Sequence, residues 1–205
     1  MSEQQSAYPV SVTGELTAPP GRGWWLIKWL LALPHFIVLA FLWIAFVIVT
    51  VVAFFSILFT ARYPRNLFDF NVGVMRWTWR VGVYGYQTLG TDEYPPFTLR
   101  AGGYPADLAV EYPERLSRGL VLVKWWLLAV PHYLIVGIFQ GGWGGRNGGG
   151  LVSLLALFAG VALLFTGRYP RDIFDLVVGL NRWTYRVSAY ASLMTDRYPP
   201  FRLWD

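Results

Sequence analysis

From Trp29 to Ala61 the chain runs thirty-three residues in which His35 is the one ionisable side chain. A straight helix of that length reaches about 50 Å, whereas a hydrocarbon core is about 30 Å thick. The pattern therefore predicts a transmembrane hairpin turning near Leu42–Phe46. Further along, Trp125–Phe139 and Leu151–Thr166 form two apolar runs of about fifteen residues each, separated by a glycine-rich stretch. An insertion usually lengthens an existing turn, so a second hairpin is predicted there. The alternative makes Trp24–Leu33 an interfacial helix and Pro34–Thr60 a single long span.

Each apolar run is followed by a segment of mixed character: "RYPRNLFDFNVGVMRWTWRV" from Arg62 and "RYPRDIFDLVVGLNRWTYRV" from Arg168. Wound at about 100° per residue, Arg65, Asn66, Asp69, Gly73, Arg76 and Arg80 fall on one narrow stripe with apolar residues around it. The second segment repeats the stripe with Arg171, Asp172, Asp175, Gly179, Arg182 and Arg186. A helix this charged does not span a bilayer, and one this apolar does not float free. An amphipathic helix in the interface plane is predicted for each, entered through the proline of Arg-Tyr-Pro-Arg.

The resemblance between these segments, fourteen identities over twenty-five positions, belongs to a tandem repeat that covers nearly the whole chain. "YPVSVTGEL" at Tyr8 matches "YPADLAVEY" at Tyr104, "RGWWLIKWLLALPHF" matches "RGLVLVKWWLLAVPHY", and "TDEYPPFTL" matches "TDRYPPFRL". Lengths differ at two places: the second copy gains nine residues around "QGGWGGRNGGG" and loses two before its closing motif. The domains expected are residues 1–103, with a hairpin at about 24–61 and an interfacial helix at about 65–88, and residues 104–205, with a hairpin at about 120–167 and a helix at about 171–193. The opening and closing motifs alternate apolar and polar residues between prolines, as edge strands do. A small sheet pairing the tail of one copy with the head of the next is expected. The fold class is thus an all-α integral membrane protein of two repeats with short cytoplasmic β segments.

Composition agrees. The chain is 55% hydrophobic and 14% charged, against about 25% charged in soluble domains, and its eleven Trp suit membrane interfaces. Cysteine is absent, which excludes disulfides and thiolate chemistry. The formal charge of +5 comes from arginines flanking apolar runs, which points to topology and anionic headgroups rather than nucleic acid. Two hairpins place every basic residue of the helical segments on one side, taken as cytoplasmic, with Arg146 in the glycine loop as the exception. The localisation expected is a multi-pass protein of the inner membrane with cytoplasmic termini. Residues 1–23 lack the charge and hydropathy pattern of a signal peptide.

Candidate chemistry is sparse. Arg62, Arg65, Arg76, Arg80, Arg168, Arg171, Arg182 and Arg186 are candidates for contact with lipid headgroups or a partner protein. Asp69 and Asp175 are candidates for structural ion pairs, and an acid on the other copy could serve Arg76 or Arg80. His35 and His132 invite a haem held between two imidazoles, but each lies near the interface beside Pro34 or Pro131 with no second ligand nearby. A hydrogen-bonding role is favoured, for instance to the carbonyl that proline leaves free. No cofactor, metal or catalytic constellation is expected, and the glycine loop lacks the residues of a phosphate-binding loop. Its Trp143 is expected to dip into the interface.

Lys-Trp-Leu-Leu-Ala-x-Pro-His, Arg-Tyr-Pro-Arg-x-x-Phe-Asp, Arg-Trp-x-x-Arg-Val and Thr-Asp-x-Tyr-Pro-Pro-Phe together resemble a bacterial membrane family, domain of unknown function 4389. The resemblance implies an integral membrane protein with one or two such repeats and supplies no activity. A non-enzymatic scaffold or accessory subunit of a membrane complex is the function expected, with membrane lipids, other membrane proteins or a second copy of the chain as partners. The alternative is a small transport or lipid-handling protein using the cleft between the repeats.

Overall fold

A computed structural model of the protein describes residues 8–16, 20–142 and 150–204; Trp143 and Arg146 lie outside them. The first apolar run does not fold back. One helix, α1 (Trp25–Thr60), passes without interruption through Leu42–Phe46. The segment expected to turn, Leu-Trp-Ile-Ala-Phe, contains no residue that stops a helix, and Pro34 is accommodated inside the helix. Length, the insertion in the second copy and the one-sided placement of the basic residues suggested the hairpin. What sets the length instead is a stripe of inward residues, Lys28, Ala32, His35, Leu39, Phe46, Ala53 and Ile57, at steps of three, four or seven that hold one face of α1 against its neighbour.

A left-handed residue ends α1, Ala61 with φ 59°, and Pro64 precedes α2 (Arg65–Tyr84). In the second copy the first apolar helix is in pieces: α3 (Leu120–Val123), a π turn (Lys124–Leu128), α4 (Val130–Gln140) and α5 (Leu151–Thr166), then α6 (Arg171–Ala191). The pieces before and after Ala129 are bent by 45°. Helices α4 and α5 are nevertheless not a hairpin. A Cβ on Gly150 would collide with the Gly141 nitrogen and the Phe139 carbonyl, so α5 starts where α4 stops. Their contacts on α6 also advance in one direction. His132 meets Trp183, Gln140 reaches Asn181 and Thr184, and Val152 packs with Val177 and Leu180. A returning helix would reverse that order. The glycine-rich insertion therefore interrupts one rod, α3 to α5, that corresponds to α1.

The structure also discloses a third difference in length. His35 follows Lys28 by seven positions, whereas His132 follows Lys124 by eight. The added residue falls in the π turn, the form in which an α-helix absorbs an extra residue. Lys124 and His132 both remain buried, as Lys28 and His35 are.

The only sheet among the described residues pairs head with head rather than tail with head. Strands β1 (Val10–Gly14) and β2 (Ala106–Val110) are antiparallel, and Val12 lies opposite Leu108, its own equivalent in the repeat. An antiparallel pair centred on equivalent residues is related by a twofold axis perpendicular to the sheet. A second pair of equivalents, Trp79 and Tyr185, also meets across that axis, edge to face at 5.6 Å. The tail segments pack as irregular chain instead of strands, because their aromatic rings have a different partner, described below.

Three layers result. On α2, Asn71, Trp77 and Thr78 reach α1 through Thr50, His35 and Trp43. Arg76, Trp79 and Arg80 reach the strands through Asp107, Thr13 and Ala106. At about 100° per residue those two sets point in opposite directions. The strands lie on one side of the α2 and α6 layer and the two rods on the other. The rods run antiparallel: the start of the second meets the end of the first where the Leu116 N–H donates to the Ala61 carbonyl at 2.9 Å, and Arg22 lies against Gly167 at the end of α5.

Candidate functional site

The outer faces of the rods are the first feature of the surface. Outside its inward stripe, α1 exposes large apolar side chains along its whole length, from Leu26 (51% exposed) through Phe41 and Ile48 to Phe59 (72%). The second rod exposes Trp125, Trp126, Ile138, Leu154, Phe158 and Phe165 in the same way. Single exposed apolar residues need no explanation, but a contiguous face of this extent marks contact with lipid or protein. By length and hydropathy α1 could cross a membrane, as could α3–α4 if counted as one bent span.

The predicted charged stripe is turned the other way. Arg80 and Arg186 are completely buried. The Arg80 guanidinium donates to the carbonyls of Ala106, Arg100 and Gly102 at 3.0–3.3 Å, and Arg186 donates to the Arg202 carbonyl at 3.1 Å and lies over the Tyr8 ring. Arg76 binds Asp107 at 2.7 Å and the Leu99 carbonyl; Arg182 donates to the carbonyls of Val12 and Leu203. These four, expected at headgroups, brace the middle layer to the strands, to the end of each closing motif and to the chain just after the first. The acid on the other copy is Asp107, not Asp175. Burial pulls the Arg80 pKa below its usual range, opposed by the nearby Asp107 carboxylate. The helices α2 and α6 are accordingly an internal layer rather than interfacial helices, because folded backbone supplies the acceptors that headgroups were expected to supply.

The other four arginines are exposed. Arg62 and Arg65 sit beyond the end of α1, Arg168 and Arg171 beyond the end of α5. Asp69 makes its expected ion pair, with Arg65 at 3.1 Å in an exposed i,i+4 arrangement. Asp175 is exposed and makes no ion pair among the described residues. Below this edge Tyr63 is buried, accepting from Asn71 at 2.9 Å, and burial raises its phenol to about 12.

The histidines occupy matching cages. The Trp77 indole N–H donates to His35 Nδ1 at 3.0 Å, while Phe97 stacks on the imidazole at 4.0 Å and Tyr94 tilts against it. Trp183, Phe201 and Tyr198 surround His132 in the same way, with distances of 3.1 Å and 4.3 Å for the first two. Accepting at Nδ1 fixes the proton of a neutral ring on Nε2. The hydrogen bond expected of each histidine is therefore present, but its partner is an indole rather than a carbonyl freed by proline. A haem shared between them does not fit, since each ring is fully buried and enclosed by aromatics of its own copy. This cage is what draws each Tyr-Pro-Pro-Phe motif out of a strand. No cluster of three metal-ligating side chains occurs among the described residues.

Sequence reasoning missed a pair of lysine locks. Lys28 donates to the Thr91 carbonyl at 2.7 Å and pairs with Asp92 at 2.8 Å; Lys124 donates to the Thr195 carbonyl at 3.0 Å and pairs with Asp196 at 2.7 Å. The other oxygen of each aspartate accepts a backbone N–H, from Gly21 and from Ser117. The recurrence of one lysine and one Thr-Asp in each copy was the available signal.

Between α1 and the start of the second rod lies an apolar groove of about 590 Å³, lined by Trp43, Phe46, Phe54, Trp125, Tyr133 and Leu193. Among comparisons with known proteins, no curated protein and no solved structure matches the chain. The family model described as Domain of unknown function (DUF4389) matches residues 23–98 and 148–202, one segment in each copy and together more than half of the sequence. With its two matched segments, the protein belongs to the DUF4389 family.

Proposed function

We propose that the protein is a non-enzymatic membrane component, a scaffold or accessory subunit of a membrane complex, that contacts anionic lipid through its exposed arginines. The observation that carries this reading is the continuous apolar face of the two rods, bordered by Arg62 and Arg65 at one end and Arg168 and Arg171 at the other. Burying such a face in lipid removes it from water, and arginines at its borders meet phosphates. The basic border favours the cytoplasmic leaflet. Replacing Arg62, Arg65, Arg168 and Arg171 by alanine is expected to weaken flotation with anionic liposomes by about fivefold per arginine, corresponding to about 1 kcal/mol each, and to leave binding to zwitterionic liposomes unchanged. Equal binding of the variant and the parent to anionic liposomes rejects the role of these arginines.

A second reading, lipid handling, is favoured by the groove. Its lining of aromatic and aliphatic side chains suits one acyl chain entering from the bilayer. Native mass spectrometry of the purified protein separates the two readings: a stable protein partner supports the scaffold, whereas an exchangeable lipid, lost on Val51→Trp, supports handling.

A further inference from the structure

We infer that the protein lies flat in one leaflet, with both rods parallel to the membrane plane and the sheet in water. The inference rests on the membrane reading above and specifies how that membrane is met. Its partner is a single leaflet of phospholipid.

Symmetry is the first reason. The twofold axis through Val12 and Leu108 is perpendicular to the layers and relates the two rods. Along this axis the molecule has two unlike poles. One is the apolar outer face of the rods. At the other, the strands turn Val10, Val12, Ala106 and Leu108 inward, while Ser11 and Thr13 are exposed and Asp107 is half-buried. The axis normal to the membrane puts the apolar pole in lipid and the polar pole in water. If α1 instead crossed the bilayer, the axis would lie in the membrane plane. The strands, Asp107 and the exposed Arg100 would then sit at the depth of the bilayer centre, where polar backbone and charge are costly.

Length is the second reason. Exposed apolar side chains of α1 run from Leu26 to Phe59, about 50 Å of helix. Fitting that length within a core of about 30 Å requires a tilt of about 55°, beyond the range of about 0–40° that spanning helices show. A helix in the plane has no such limit.

Charge is the third. Exposed arginines occur at both ends of both rods: Arg22 and Arg168 at one end of the layer, Arg62 and Arg118 at the other. Flat placement puts all four at the headgroups of one leaflet, whereas a spanning placement divides them between the two surfaces.

Since the chain has no cysteine, single substitutions in the full-length protein test this. Asn66→Cys and Asp172→Cys mark equivalent exposed positions at opposite ends of the rods, Ser11→Cys marks the sheet, and Ile44→Cys marks the middle of α1. Each variant is reconstituted in sealed vesicles and treated with a membrane-impermeant maleimide before and after permeabilisation. Positions 11, 66 and 172 are expected to share one sidedness in each orientation of the protein, and position 44 to show loss of labelling and quenching by lipid spin-labelled near the headgroup. Labelling of 66 and 172 from opposite sides, with 44 protected, overturns the flat placement and leaves the membrane reading standing. Labelling of 44 from water as readily as 11 overturns both.

Discussion

In α1, a regular helix carries Lys28 and His35 seven positions apart and continues to Thr60. In the second rod the corresponding lysine and histidine are eight apart, a π turn lies between them, and a glycine-rich insertion follows Gln140. Yet both lysines reach a Thr-Asp motif and both histidines accept from a tryptophan and stack on a phenylalanine. What the repeat holds constant is therefore the inward contact set. Helix regularity is what yields, because a bulge or an insertion disturbs only one or two turns, whereas a lost lysine lock strands a buried charge.

The largest expected effect tests that constancy. Asp92→Ala and Asp196→Ala each remove the acid from a buried lysine and should destabilise the protein by about 3 kcal/mol, measured as thermal unfolding in detergent. A much smaller loss in one copy than in the other would break the equivalence of the two locks. Next comes the junction where α5 meets α4. Gly150→Ala drives a methyl group into the backbone at Phe139–Gly141 and should cost about 2 kcal/mol, whereas a long flexible hairpin would accept it without loss. The smallest effect concerns the π turn. Deleting Trp126 regenerates Lys-Trp-Leu-Leu-Ala-x-Pro-His and the spacing of the first copy. The midpoint of unfolding should move by the equivalent of less than about 1 kcal/mol, and a collapse would show that the bulge itself is required.

Much of the fold was legible. Pro64 and Pro170 marked the starts of α2 and α6, which begin at Arg65 and Arg171 as the pattern implied and end a few residues sooner, at Tyr84 and Ala191. Of the eight candidate arginines, the shared stripe was legible but its surroundings were not: Arg62, Arg65, Arg168 and Arg171 are exposed, while Arg76, Arg80, Arg182 and Arg186 are internal braces. A helical wheel establishes that such residues share a face and gives no sign of what that face meets. For Arg80 the partners are carbonyls 20 to 26 positions away, and for Trp79 the carbonyl of Thr13, 66 positions away. The hairpins failed for a related reason. Length against membrane thickness decides a turn only if the helix stands across the bilayer, and orientation is a property of the assembled layers.

The sequence by itself determined that this chain is a doubled unit, rich in apolar helix, with basic residues at its borders, since these follow from composition, period and repetition within short windows. Only the tertiary structure decided that strands pair across the copies, that four of the eight candidate arginines turn inward, and that the broken second run makes one rod. Those outcomes depend on which distant backbone groups and side chains meet, and hydrogen bonds between residues far apart in the chain leave no periodic trace in it.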